Sequence, residues 1–177
     1  MADGKNSKTI FLVRHAQSEQ NIATARLESG EVGALGDIIR LGHDAPVSST
    51  GRDQLNEASR ALAGFSAEHA VELVVHSPYQ RAAETAKAIF AAHPKPMIVL
   101  PALHERTVTE YLFPWMLDAR IAQVRAWIDA REEQCIALVG HGQWFKRCCG
   151  APAVQPNVSI IRSIYTSAAG FVASGVA

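Results

Sequence analysis

Cysteine is scarce in this 177-residue chain, which contains only Cys135, Cys148 and Cys149. An odd count with two residues adjacent excludes a disulfide framework as the source of stability. No CxxC or HExxH spacing occurs, so no zinc-ligand pattern emerges. Neither sign of charge is in excess, with Lys+Arg and Asp+Glu both at 17. No global field draws the chain to nucleic acid or to an anionic membrane, although a local cationic pocket stays open. Apolar runs fall well short of the roughly 20 residues of a membrane span. The first of them, "TIFLV", is also too short for a signal peptide. A cytoplasmic protein is expected, with neither nucleic acid nor membrane as partner.

What remains is an ordinary globular composition, 48% apolar and 19% charged, long enough for one domain with a sizeable core. Four nearly continuous apolar runs, at 9–13, 71–76, 97–100 and 135–140, read as strands covered on both faces. Helical patterns separate them. Thr50 and Asp53 have the spacing of a capping box for a helix over 51–64. Ser77-Pro78 reads as an N-cap with proline at the first helical position, opening a helix to about residue 92. A third helix is expected over 115–131 and a short fourth after Gly142. The tail from 158 reads as two strands around a turn at Ala168-Ala169-Gly170. The fold class is therefore α/β, a three-layer αβα sandwich around a mainly parallel sheet, in a single domain with its core over about 8–166. Segments 22–49 and 104–114 read as irregular. They carry Arg26, Arg40, Arg106, Tyr111 and Phe113, and either run over the surface or cap a site.

Polar residues end three of the strands: Arg14-His15, Ser77 through Arg81, and His141. In open α/β sheets the crevice beyond the carboxyl ends of the strands takes the ligand, and parallel strands bring all three groups to one edge. Arginine forks suit phosphate. A histidine held in one tautomer can attack phosphorus. Each residue alone also has a plain reading as a turn, a solvated charge or an incidental histidine. Composition and spacing therefore end at a candidate anion-binding α/β domain.

Five segments taken in order resemble the histidine phosphatase superfamily, the phosphoglycerate mutase-like or two-histidine phosphatases. They are "LVRHAQSEQN" (12–21), "DAPVSSTGRDQ" (44–54), "SPYQRAAETA" (77–86), "LHE" (103–105) and "VGHGQ" (139–143). The resemblance implies a phosphatase of the histidine acid phosphatase type, acting on a phosphomonoester or phosphohistidine without metal or other cofactor. Carried over by position, His15 would be the nucleophile that forms a phosphohistidine. Arg14, Arg81 and His141 would bind the transferring group, and Glu105 would be the general acid. Ser18, Asn21 and Gln143 would add contacts to the substrate.

Two departures bear on that reading. Ala16 stands where the motif usually has glycine. The residues after Glu105, "RTVTEYLFPW", depart from the common pattern, which makes Glu110 a rival for the acid. Only 35 residues separate Glu105 from His141; mutases of the family carry an insertion there, so the resemblance favours a phosphatase. A phosphoglycerate mutase-type transfer is one alternative, and a catalytically weak phosphate-binding regulatory protein is the other. Trp115, Trp127 and Trp144 read as core or rim, with Trp144 the one of the three best placed to line the pocket. His43 and His104 read as loop residues that flank it. The substrate stays open among a sugar phosphate, a phosphorylated small acid and a phosphoprotein.

Overall fold

The alternation of apolar runs and helical patterns folds as the periodicity predicts, into one sheet with helices on both faces. The computed structural model describes residues 7–150 and 154–176. In chain order the elements are β1 (Lys8–Arg14), α1 (Glu19–Glu28), α2 (Ala34–Leu41), α3 (Ser49–Ala61), α4 (Phe65–Glu68), β2 (Leu73–His76), α5 (Gln80–Ile89), β3 (Met97–Val99), α6 (Val108–Leu112), α7 (Pro114–Asp129), β4 (Cys135–Gly140), α8 (Gly142–Cys149), β5 (Ile160–Thr166) and β6 (Gly170–Val176). A single 3-10 turn, Pro101–Leu103, precedes α6. The sheet order is β3-β2-β4-β1-β5-β6. The first four of those strands are parallel, and β5 and β6 are antiparallel.

Alternate side chains of β1 enter two different cores. Ile10 and Leu12 pack with Leu117, Val124 and Ile128 of α7 and with Trp144 and Phe145 of α8. Phe11 and Val13 pack on the opposite face with Ala58 of α3, Phe65 of α4 and Ala82, Ala86 and Ile89 of α5. A strand buried on both sides has no reason to alternate with polar residues, which explains its continuous apolar run.

Several local expectations need correction. The helix expected at 51–64 starts earlier, because Ser48 rather than Thr50 caps it, accepting from the Gly51 amide. Ser77-Pro78 does not open its helix directly; α5 begins at Gln80 after Tyr79. The segment 22–49, read as irregular, contains most of α1 and all of α2, and 104–114 contains α6. These helices are short, and α1 and α2 pair mainly with each other, so no apolar stripe longer than about two turns marks them. The tail hairpin forms as expected, turning at Gly170, whose φ of +73° suits glycine.

Parallel register places the polar strand ends side by side. Arg14 lies opposite Gly140, and His76 opposite Val139. The His15 amide donates to the Gly140 carbonyl at 3.0 Å, and the Ser77 amide to the Val139 carbonyl at 3.0 Å. The ends of β1, β4 and β2 thus share one edge of the sheet.

Candidate active site

A cavity of about 660 Å³ opens at that edge. Arg14, His15, Arg81, Glu105 and Gln143 line its inner part, and Asn21 lines it from α1. His141 adjoins them as the buried N-cap of α8, with its ring 5.0 Å from that of His15.

His15 is almost wholly buried and its ring is fixed at both nitrogens. Nδ1 lies 2.6 Å from the Ala16 carbonyl, an acceptor, so Nδ1 carries the proton. The lone pair is then on Nε2, which accepts from Arg81 Nε at 3.3 Å. Burial, reinforced by the charges of Arg81 and Arg14, lowers the His15 pKa to about 3 despite the Ala16 bond. A neutral imidazole with an outward lone pair is the state a nucleophile needs.

The segment that carries His15 is braced from three sides. The Ala16 amide donates to Thr85 Oγ1 at 3.0 Å, and that hydroxyl donates to the Arg81 carbonyl at 2.7 Å. The Gln17 amide donates to Gln54 Oε1 at 2.9 Å, and the Ser48 amide to the Gln17 carbonyl at 3.0 Å. A Cβ on Gly51 would fall 2.0 Å from that carbonyl, so "SSTGRDQ" needs glycine there to seat the loop. From the C-terminal side, Asn157 Nδ2 donates to the His15 carbonyl at 2.8 Å.

Ala16 itself is fully buried and packs with Val47 and Leu55, away from the cavity. Among the described residues only Ala70 and Val158 combine a side chain with positive φ. The backbone at 16 therefore does not require glycine.

Arg81, 2% exposed, reaches His15, His141 Nδ1 at 3.4 Å and the His43 carbonyl at 2.8 Å. Its guanidinium also lies over the Tyr79 ring at 4.8 Å. Arg14 hydrogen-bonds the Gln155 carbonyl, while its Nε is buried without a partner. Gly142 permits that packing, since a Cβ there would lie 3.0 Å from Arg14 Nε and 2.3 Å from Val154 Cγ1. Burial lowers the pKa of both arginines, and the Glu105 carboxylate opposes that shift. His141 Nε2 lies 2.7 Å from Ser77 Oγ. Burial, then the neighbouring His15 and Arg81, keep its ring neutral.

The two candidate acids occupy different surroundings. Glu105 brings a carboxylate oxygen within 4.8 Å of ring nitrogens of both His15 and His141. Burial raises its pKa against the Arg106 amide and the two arginines. Glu110 does not line the cavity. It forms a buried two-pronged pair with Arg120 at 2.8 and 2.6 Å and also caps α6. Burial alone would raise its pKa, but the bonds from Arg120 and the Thr107 amide outweigh it and leave the carboxyl below its ordinary value.

His15, Glu105 and His141 have the make-up of a metal triad. The donor set does not fit a cation well. Arg81 already occupies His15 Nε2, and two guanidinium charges face the same space. An anion fits that field.

The remaining expectations divide. Asn21 and Gln143 line the cavity. Ser18 does not; its hydroxyl caps α1 by accepting from the Asn21 amide. Trp144 is fully buried in the core, in line with the reading of the tryptophans as core or rim, and does not line the cavity. Of the loop arginines only Arg106 lines the cavity, and Arg26 and Arg40 form surface pairs with Asp37. Arg120 escaped sequence reasoning. It donates to the Ala102 and His104 carbonyls at 2.8 and 2.6 Å, fixing the segment that carries Glu105. Its signal was a charge on the apolar stripe Leu117, Ile121, Val124, Ile128.

A sequence profile of the histidine phosphatase superfamily (branch 1) matches residues 10–112, more than half the chain and including His15, Arg81 and Glu105. The chain belongs to the histidine phosphatase superfamily. Solved members share its fold at low identity. A mycobacterial structure titled hydrolase 1 is 16% identical with a TM-score of 0.63, over 96% of this chain and 97% of its own. A phosphoserine phosphatase from Entamoeba histolytica, in complex with 3-phosphoglyceric acid, is 17% identical with a TM-score of 0.62, over 95% of both chains. The mycobacterial glucosyl-3-phosphoglycerate phosphatase, with VO3, is 18% identical with a TM-score of 0.58, over 88% of this chain and 92% of its own. No curated protein sequence gives a significant match. Among the described residues no helix of this superfamily member is long and apolar enough to cross a membrane.

Proposed function

We propose that the protein is a metal-independent phosphatase that hydrolyses a phosphomonoester through a phosphohistidine on His15 Nε2. One observation carries the reading: His15 presents a proton-free Nε2 beside the Arg81 fork, with a Glu105 carboxylate oxygen within 4.8 Å of the His15 ring. Structural neighbours titled as phosphoserine and glucosyl-3-phosphoglycerate phosphatases support it.

In the first step the Nε2 lone pair attacks phosphorus and the bond to the ester oxygen breaks. Glu105, which burial shifts toward its protonated form, passes its proton to the leaving oxygen. Arg14 and Arg81 balance the charge on the phosphoryl oxygens. His141 Nδ1 accepts from Arg81 at 3.4 Å, so its proton is on Nε2, which donates to Ser77 Oγ at 2.7 Å. His141 thus orients the Arg81 fork toward the phosphoryl group. In the second step water attacks phosphorus, Glu105 takes up the water proton and the P–N bond breaks, releasing phosphate. A protein substrate carrying phosphohistidine would donate its phosphoryl group by the same path.

The test is release of inorganic phosphate from p-nitrophenyl phosphate in the presence of a chelator. Rapid quenching in alkali or in neutral detergent, which spare a P–N bond, should trap label from a radiolabelled phosphoester on the wild type, and His15→Ala should lose both label and turnover. Phosphoglycerate isomerisation faster than phosphate release would make the protein a mutase. Neither turnover nor label across a broad panel of phosphoesters would leave a phosphate-binding regulatory protein.

A further inference from the structure

A cavity of about 660 Å³ is far larger than a phosphoryl group needs. Whatever alcohol is esterified to a phosphate at His15 must extend into the outer part. That part has two unlike walls. α1 supplies a polar one, through Gln20, Thr24 and Glu28. The rest of the outer lining is largely apolar: Ile38 and Ile39 come from α2, and Val108 and Tyr111 from α6. Ile39 is 73% and Val108 68% exposed, with no protein partner to account for them. Large apolar side chains held open to water at a cavity mouth mark a surface that something covers. Here the covering group is fixed by continuity, because the wall belongs to the same cavity as His15.

Recognition of a second anion would need a free cationic fork. Among the described residues Arg106 is the only lysine or arginine of the outer cavity, and two of its three guanidinium nitrogens are engaged. Nε and one terminal nitrogen donate to the Glu110 carbonyl at 3.3 and 3.0 Å, and the guanidinium plane stacks 4.0 Å from the Tyr111 ring centre. That stacking also presents Tyr111 as a fixed apolar plate. Glu28 of α1, also in the lining, repels a carboxylate.

Resting on the phosphatase reading above, we infer that the preferred substrate is the monophosphate ester of an apolar alkyl or aryl alcohol, whose carbon skeleton lies on Ile39, Val108 and Tyr111. Polyol phosphates and phosphorylated small acids are the poorer substrates.

The probes are methyl, n-propyl and n-hexyl phosphate, whose leaving groups differ little in acidity, with glycerol 3-phosphate and phosphoglycolate for comparison. kcat/KM should rise about two- to fourfold per methylene, as partial burial of each carbon predicts. Propyl phosphate should exceed both polar probes. The double variant Ile39→Ser with Tyr111→Ser should flatten the alkyl series. A flat wild-type series, or preference for glycerol 3-phosphate or phosphoglycolate, overturns the inference while turnover itself upholds the phosphatase. If no ester turns over, the phosphatase reading fails instead. The same ladder measured as Kd by calorimetry then decides the subsite: tighter binding with chain length supports the apolar wall, and equal Kd values sink it.

Discussion

Arg81 donates from Nε to His15 Nε2 at 3.3 Å while its other nitrogens reach His141 and the His43 carbonyl. One buried guanidinium thus links the ends of β1 and β4 and the segment after α2. It also faces the nitrogen on which the phosphoryl group would form.

That geometry makes a single charge insufficient. Arg81→Ala should lower kcat/KM by about 10²–10³-fold, the usual loss of an oxyanion donor. Arg81→Lys should recover only a small part, since an ammonium cannot serve several acceptors in one plane. Steady-state kinetics with p-nitrophenyl phosphate reads both, and a lysine variant near the wild-type rate would contradict the role.

Glu105 and Glu110 separate by what their loss changes. Glu105→Gln should slow alkyl phosphates much more than p-nitrophenyl phosphate, whose leaving group scarcely needs a proton. Glu110→Gln leaves Arg120 buried and half-paired, which should cost about 3–5 kcal/mol of stability without that leaving-group dependence. Thermal unfolding and a pair of substrates measure the two effects, and an exchange of the two signatures would exchange the assignments.

Ala16→Gly tests the position where the motif usually has glycine. The Ala16 methyl packs with Val47 and Leu55 rather than toward the cavity. Restoring glycine should leave the KM for phosphate esters within about twofold. It should cost about 1–2 kcal/mol through a lost buried methyl and added chain freedom. A marked fall in KM would show that the methyl crowds the phosphate after all.

These residues also show why parts of the molecule were legible in advance. Strands buried on both faces announce themselves by continuous apolar runs, and parallel register then carries Arg14, His15 and His141 to one edge. Which glutamate enters the cavity depends on where Arg120 anchors the 102–110 segment, a contact between residues far apart in sequence. Ser48 was hidden beside Thr50 because both have cap chemistry, and only the Gln17 contact decides between them. Trp144 lies three residues past His141, but α8 turns its side chain into the core.

Gly142→Ala would place a methyl 2.3 Å from Val154 Cγ1 and 3.0 Å from Arg14 Nε. Val154 can shift, whereas Arg14 is also held by the Gln155 carbonyl. Overpacking of this kind costs about 1–3 kcal/mol, and it should displace the Arg14 fork. Activity should therefore fall at least tenfold while unfolding remains cooperative. A variant with wild-type kcat/KM would show that the close approach is not needed.

The pH dependence follows from two opposite shifts. His15 is held neutral down to about 3, so acidification from 6.5 to 4.5 should not protonate the nucleophile. A ring with its folded pKa depressed binds fewer protons than in the unfolded chain between about pH 3 and 6.5, so it lowers stability as pH falls through that window. Glu105 shifts the other way: burial raises its pKa, keeping the acid protonated above its ordinary range and losing it as pH rises further. Turnover of an alkyl phosphate should therefore decline with rising pH more steeply than that of p-nitrophenyl phosphate. The phosphate of p-nitrophenyl phosphate also ionises at lower pH than that of an alkyl ester, a difference that is the same for wild type and Glu105→Gln. The pH profile of the ratio of kcat/KM values is therefore compared between the two enzymes. The loss of alkyl-phosphate turnover relative to p-nitrophenyl phosphate with rising pH should be shallower in Glu105→Gln. The same profile of the ratio in both enzymes would remove Glu105 as the proton donor.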